Sequence, residues 1–504
     1  MTQLKNAILI TLIGCTTLLS AQEKSRSKGA DKNQQPNVIV VLTDQLRPHA
    51  LGSYGNKIVR TPNIDKFASE GYQFNLGITN NPVCVPARST LLSGQHARTS
   101  VGSRKNEMQE MQGLHGRKDR IKFPDKTIAE AFKEQGYKTF QIGKWHVDTT
   151  PSMLGFDESL VVDQIFTKTT FSRNEGEIYK VPGFSSDYEL KNVKEIFENN
   201  KTAPFFMYYN ITSPHMPLLD VPYKYTTMYD PAEMPLRDNV WKNGKLPSNE
   251  TWFHIYMWQT LYGEHEPITA KATPDFTIKD LTALYYGSVT WVDDLFGEML
   301  RSLEENGLKE NTIIVFSSDH GEMLGSHHLW NKDRPYEEAI RVPMIYNHPG
   351  KINSKVNKEQ ITSLVDIMPT LLDLSGIDIP KSAQGRSVAK LMDGSTKKTT
   401  LPENYAFIET PWAELAIRTP EYMYAVTMEK NDEGIKNENH LFFDLTEDTY
   451  QINNLIGTDK KSKVARELLK KIKAFDKNTP RLKKAIGYEP WQASYEEYAG
   501  EGKK

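Results

Sequence analysis

Four apolar runs in this chain end in chemically active side chains. NVIVVLTDQ is apolar from Val38 to Leu42 and then presents Thr43, Asp44 and Gln45. YKTFQIGKWH is a weaker run that closes on Lys144 and His146. APFFMYYNITSPH is apolar from Phe205 to Tyr209 and reaches His215, and NTIIVFSSDHGE is apolar from Ile313 to Phe316 and yields Asp319 and His320. Short, nearly continuous apolar runs predict strands buried on both faces of a parallel sheet. Helical patterns separate them. PDKTIAEAFKEQG places Ile128, Ala131 and Phe132 on one face with Gly136 at its end, and VTWVDDLFGEMLRSLEENG runs to Gly307. Strand–helix alternation predicts a doubly wound α/β domain. Ligands in such folds bind beyond the carboxyl ends of the strands, so four polar clusters at four strand ends imply one shared site.

The stretch NNPVCVPARSTLLSG adds a residue to that site. Pro86 suits the first turn of a helix, where its missing N–H costs nothing, and ARSTLL continues that helix. Cys84 then stands beside a positive helix end, which favours a bound anion. The chain has two cysteines in 504 residues. The other, Cys15, lies in MTQLKNAILITLIGCTTLLSAQ, which has Lys5, an apolar run from Ala7 to Gly14, and small Ser20 and Ala21. This is the layout of a secretory signal peptide over residues 1–21, followed by a polar linker over 22–35. The apolar run is shorter than the roughly 20 residues that span a bilayer. Cleavage after Ala21 removes Cys15; LIGC also has the form of a lipoprotein box, with Cys15 as the lipidated first residue. Either route takes the chain across the inner membrane, to the periplasm, and leaves Cys84 without a disulfide partner. Cys84 is then either an inert buried cysteine or a chemically used one.

Lys and Arg number 62 and Asp and Glu 64, a net charge of −2. This balance offers no basis for a nucleic-acid or anionic-membrane partner. No later apolar stretch is long enough to cross a membrane. Asp44, Gln45, Asp319 and His320 are adjacent donors after two strands and could clasp one divalent cation. Oxygen ligands suit Ca²⁺ or Mg²⁺, and an imidazole moves the preference toward Mn²⁺. Lys144 and Lys332 could hold an anion, and His146 and His215 could move protons near neutral pH.

With these residues in place the chain resembles the type I sulfatases of the alkaline-phosphatase-like superfamily. CVPARSTLLSG has the form of the sulfatase signature Cys-x-Pro-x-Arg, with Ala87 where the family most often has Ser. Supporting stretches include TPNIDKFASEGYQF, IGKWH, SDHGEMLGSHHLWNKDRPYEEAIRVPMI, LVDIMPTLLDLSGI and LFFDLTEDTYQINNL, so that the resemblance covers most of residues 37–460. It implies that a maturation enzyme oxidises Cys84 to formylglycine and that Arg88 steadies its hydrate. It also implies that Asp44, Gln45, Asp319, His320 and residue 84 hold one divalent cation. Ca²⁺ is the family's default. Many members have Asp at the Gln45 position and Asn at the His320 position; the pair found here also occurs in phosphonate monoester hydrolases of the superfamily, which leaves Mn²⁺ or Mg²⁺ open. Lys144, His146, His215 and Lys332 fall where the family grips sulfate and manages protons.

The resemblance implies a large mixed, mostly parallel sheet flanked by helices. The catalytic domain is expected over 36–385. Over 386–504 a C-terminal subdomain is expected, with AIRTPEYMYAVTM and HLFFDL as antiparallel strands and SKVARELLKKIKAFDK as a packed amphipathic helix. The expected reaction is hydrolysis of sulfate monoesters on a sulfated glycan. A phosphonate monoester or phosphodiester hydrolase is the alternative within enzymes, and an inactive carbohydrate-binding relative is the alternative outside them. Trp241, Trp252 and Trp258 could stack on sugar rings. His327 and His328 lie near the site in sequence and could contact substrate, whereas His49, His115 and His348 read as structural or surface histidines.

Overall fold

Strand β1 (Asn37–Asp44) is buried along its whole length. Side chains alternate between the faces of a strand. Accordingly Ile39 and Val41 enter one hydrophobic cluster, and Val38, Val40 and Leu42 enter another. Such a strand needs both faces of its sheet covered, and a computed structural model of the chain has this layering. It describes residues 35–103, 120, 123–162, 170–240, 277–429 and 434–482. The expected leader over 1–21 with Cys15, nearly all of the linker, His115, and Trp241, Trp252 and Trp258 lie outside the described residues. No helix among the described residues is long and apolar enough to cross a membrane.

The remaining strands of the large sheet are β2 (Tyr72–Ile78), β3 (Lys138–Lys144), β4 (Glu158–Val162), β5 (Thr170–Arg173), β6 (Ile178–Lys180), β7 (Phe205–Pro214), β8 (Thr312–Ser318), β9 (Arg341–Val342), β10 (Met344–Asn347) and β11 (Lys355–Ser363). Their order is β11-β2-β10-β8-β1-β7-β3-β4-β5-β6, with β9 paired to β2. The four strands read from the apolar runs, β8, β1, β7 and β3, lie side by side and run parallel. Their carboxyl ends therefore share one edge. Antiparallel pairing enters on either side, where β10 meets β8 and β2, and where β5 meets β4 and β6. The sheet is mixed, with its parallel part at the site.

Helices cover both faces. α1 (Pro62–Glu70), α4 (Ser185–Asn199) and α5 (Ile278–Glu305) contribute to the first cluster; α2 (Cys84–Ser93), α3 (Ile128–Glu134) and α6 (Leu364–Leu374) contribute to the second. Thr127 and Glu130 close a capping box on α3, and Gly136 takes φ 83 just past its end. α2 differs from the others in being buried on every side. It ends at Gly94, whose φ is 61 and where a Cβ would stand 2.8 Å from the Met368 sulfur. Both features disfavour a larger residue there.

A second sheet of β12 (Ala406–Glu409), β13 (Glu414–Arg418), β14 (Tyr422–Thr427) and β15 (Leu441–Asp444) is antiparallel, in sequential order. One of its faces packs Ile408, Met423 and Phe443 against Ile78, Ile340 and Ile361 of the larger part. The other packs Leu415, Tyr424 and Phe442 against Leu468, Ile472 and Phe475 of α7 (Ser462–Asn478). Arg98, fully buried, fastens this arrangement. It donates to Glu409 Oε1 at 2.9 and 2.6 Å and to Asp476 Oδ1 at 2.8 Å, with its guanidinium 4.8 Å from the Phe475 ring. Removing one partner of a buried ion pair strands the other's charge. Arg98→Ala is therefore expected to cost about 3–5 kcal/mol of stability, read as a lowered denaturation midpoint, with hydrogen exchange in α7 accelerated before that of β1.

Candidate active site at the carboxyl ends of the strands

β1 and β8 are in register at Thr43 and Ser318, so Asp44 and Asp319 leave the sheet as neighbours. Both are fully buried, and Arg88 lies between them. Its Nη2 is 2.9 Å from Asp44 Oδ2, and its Nε donates to Asp319 Oδ2 at 3.0 Å. Its Nη1 donates to Asn210 Oδ1 at 2.9 Å and to the Lys144 carbonyl at 3.1 Å, which ties in β7 and β3. Arg88 follows Cys84 by one turn of α2, so the same contacts fix the position of the cysteine.

Cys84 opens α2 and is 2 % exposed. Its Sγ marks the point from which the oxygens of a formylglycine would project. Lys332 Nζ lies 2.9 Å from it and His320 Nε2 3.1 Å. His146 and His215 lie close enough to interact electrostatically with residue 84. Lys144 Nζ sits 2.6 Å from Asp44 Oδ2. The structure thus brings Asp44, Cys84, Arg88, Lys144, His146, His215, Asp319, His320 and Lys332 together. His49 and His348 lie elsewhere, among Arg47, Arg237 and Arg341, and beside Lys351. His327 is held by structural contacts: its ring stacks 4.0 Å from Tyr336 and its Nε2 lies 3.1 Å from Asn239 Nδ2.

The charges at the centre are unequal in kind. Burial pushes the Asp44 carboxyl up, but Lys144, His215 and Arg88 overcome it and hold the group far below the usual carboxylate range. Burial and the neighbouring Asp44 push Asp319 up. Burial would also raise the Cys84 thiol; Lys332, Lys144 and His320 instead hold it well below the ordinary cysteine value. Burial and Lys144 lower His215 to about 4, and burial lowers His146, so both imidazoles rest neutral near pH 7.

The donor set fits a divalent cation. One ligand atom each of Asp44, Cys84, Asp319 and His320 lies within 4.8 Å of the others. His320 Nδ1 is 2.9 Å from the Gly321 carbonyl and must donate to it, which leaves the Nε2 lone pair for the centre. Gln45 Oε1 is buried and meets no donor among the described residues. Its amide orientation follows from Glu322, which the sequence did not mark. Glu322 Oε1 accepts the Leu324 and Asn331 N–H groups at 2.9 and 2.8 Å, and Glu322 Oε2 takes Gln45 Nε2. A carboxylate there can only accept, so the Gln45 amide nitrogen faces it and the oxygen remains for a cation.

The sulfatase family profile matches residues 36–377 of the chain. This protein belongs to the sulfatase family. A second profile, for the C-terminal part of N-sulphoglucosamine sulphohydrolase, matches residues 325–478 of this sulfatase. The Ulvan-active sulfatase of Formosa agariphila is 31% identical over 89% of the chain and 82% of its own length. Among solved structures, a protein in complex with its substrate D-glucosamine-2-N,6-O-disulfate superposes with TM-score 0.72 at 22% identity, over 90% of the chain and 100% of that structure. The phosphonate monoester hydrolase of Agrobacterium radiobacter superposes with TM-score 0.67 at 20% identity, over 88% and 96%. Both likenesses show the fold. The family assignment makes the protein a sulfuric ester hydrolase.

Glu322→Gln tests the role given to Glu322. The replacement amide keeps an oxygen for the two backbone donors but turns an NH₂ toward Gln45, whose own amide must flip and present nitrogen to the cation. The variant is expected to lose roughly 10–100-fold in Ca²⁺ or Mn²⁺ affinity, measured by calorimetry and by metal-dependent thermal shift. The exchange Gln45→Glu with Glu322→Gln is expected to restore much of it, because the hydrogen bond and an oxygen ligand both return.

Proposed function

We propose that this sulfatase removes sulfate monoesters from a sulfated carbohydrate, with formylglycine made from Cys84 as nucleophile. The observation that carries this reading is the position of Cys84: at the first turn of a buried helix, inside the metal-donor cluster, within reach of Lys332, His146 and His215. As an aldehyde hydrate, residue 84 would bring one hydroxyl to attack sulfur and a second whose deprotonation expels sulfate. A divalent cation on Asp44, Gln45, Asp319 and His320 would acidify a hydroxyl at residue 84 and draw charge from a sulfate oxygen.

The chain's own groups do the rest. Arg88, Lys144 and Lys332 supply fixed positive charge in a site shielded from water, where electrostatic stabilisation is strongest. His215 donates Nδ1–H to the Met216 carbonyl at 2.9 Å and presents Nε2 3.4 Å from Lys332 Nζ. The Lys332 ammonium can give a proton to the departing alcohol, and His215 Nε2 stands beside it as an acceptor. His146, kept neutral by burial, can accept one at residue 84. The relatives named for ulvan and for a disulfated glucosamine support a glycan substrate. The intact set Cys84, Arg88, Lys144, His146, His215 and Lys332 speaks against an inactive carbohydrate-binding relative.

The second reading, a phosphonate monoester or phosphodiester hydrolase, draws on Gln45 and His320. A phosphodiester has two terminal oxygens and a second bulky substituent. A sulfate monoester has three terminal oxygens, and the donors placed around Cys84 suit that group. Two measurements test the proposal. After co-expression with a formylglycine-generating enzyme, mass spectrometry of the peptide bearing residue 84 should show the aldehyde in active protein; full activity with an unmodified thiol refutes that part. For matched leaving groups, kcat/KM should favour the sulfate monoester over the phosphonate monoester and phosphodiester. A preference for phosphorus across several leaving groups reverses the assignment.

A further inference from the structure

The small sheet also reaches the site. β12 ends at Glu409, whose N–H donates to the Asn80 carbonyl at 2.9 Å, four residues before Cys84. The turn that follows, Thr410 to Ala413, is tightly held. Ala413 N–H donates to the Thr410 carbonyl at 3.2 Å, and the Ala413 carbonyl accepts from Met428 at 2.7 Å. Thr410 Oγ1 donates to Glu414 Oε2 at 2.8 Å, and Ala413 takes φ 63, a conformation that L residues rarely adopt. On this turn stands Trp412, 40% exposed. A fixed backbone thus holds a large aromatic ring partly in water.

From the other side comes the segment after Lys332. Asp333 N–H donates to the Pro82 carbonyl at 3.1 Å, which pins the segment beside the loop before Cys84. Arg334 follows, its guanidinium 5.5 Å from the Trp412 ring centroid and its Nη1 3.5 Å from Glu414 Oε1. Arg334 and Lys332 are two residues apart, a span of at most about 7 Å, and Lys332 touches Cys84. Trp412 and Arg334 therefore stand, partly exposed, on the two segments hydrogen-bonded to the loop that leads into Cys84.

We infer that Trp412 and Arg334 form a second saccharide subsite, which takes the sugar next to the one that loses its sulfate and prefers an anionic substituent on that sugar. The inference rests on the carbohydrate reading of the proposed function. An indole face suits the C–H side of a sugar ring, where apolar and polar surface alternate. A guanidinium presents paired N–H donors that match a carboxylate or a sulfate. Glu414 holds the Arg334 guanidinium beside the ring, so the cation and the aromatic surface are preorganised together.

The experiment uses the full-length, formylglycine-bearing enzyme and sulfate release from sulfated mono-, di- and tetrasaccharides prepared from ulvan, heparin, chondroitin sulfate and carrageenan. For the glycan that the parent enzyme desulfates, Trp412→Ala and Arg334→Ala are each expected to raise KM about tenfold on the di- and tetrasaccharide. The sulfated monosaccharide and 4-methylumbelliferyl sulfate should change less than twofold. Trp412→Phe should recover part of the loss, because it restores a ring, and kcat should hold in all variants. Equal KM for parent and Trp412→Ala on every oligosaccharide overturns the subsite while leaving the sulfatase reading intact. Equal losses on mono- and oligosaccharides overturn it too, since they place both residues at the reacting sugar. A parent enzyme that releases sulfate from no member of the panel but does so from the aryl sulfate overturns the carbohydrate reading, and the subsite with it.

Discussion

Two carboxylates that meet without water are the constraint around which this molecule is arranged. Asp44 and Asp319 leave adjacent parallel strands at the same edge, and neither has any exposure. Burying one ion costs several kcal/mol, and burying two of like sign side by side costs more. The compensating cation must stay charged under all conditions and must reach both. An arginine fork does this, whereas a lysine offers a single point of charge. Arg88 has that role and spends its remaining donors on Asn210 and the Lys144 carbonyl, so that one side chain joins β1, β8, β7 and β3. Because it sits one turn after Cys84 on a fully buried helix, the same hydrogen bonds that stabilise the acidic pair also place the reactive position.

The rest of the site follows from that charge arrangement. A cation-rich surrounding holds the Cys84 thiol low, and burial keeps the two histidines neutral. The neutral imidazoles can accept protons, whereas the Arg88 guanidinium stays charged and helps to hold an anion. Glu322 shows the same economy of geometry. By accepting two backbone donors and the Gln45 amide, it leaves the Gln45 oxygen unengaged among the described residues.

The second sheet is part of this chemistry through packing. Its inner face completes the hydrophobic cluster around Ile78, Ile340 and Ile361. Arg98 locks it to the larger part through Glu409. The strand that ends in Glu409 then delivers the turn carrying Trp412 to the segment that carries Lys332 and Arg334. One strand therefore carries both the Glu409 anchor of the interface and the turn with Trp412.

Much of the site was legible in the chain because its signals are local. An apolar run followed at once by Asp44 and Gln45, or by Asp319 and His320, reports a buried strand and its carboxyl end without reference to anything distant. Pro86 likewise announces the helix that opens at Cys84. The family resemblance then supplied the roles of Arg88, Lys144, His146, His215 and Lys332. What the tertiary structure alone decided involves partners far apart in sequence. Arg98 and Glu409 are separated by 311 positions and Gln45 and Glu322 by 277, and no periodicity links them. Trp412 reads in the sequence as one aromatic among many, while the tryptophans singled out there for stacking on sugars lie outside the described residues. α2 is buried on all sides and so lacks the one-faced pattern by which a helix is recognised. Hydrophobic patterning tells which face of an element is covered; only the folded sheet determines which loops meet at its edge.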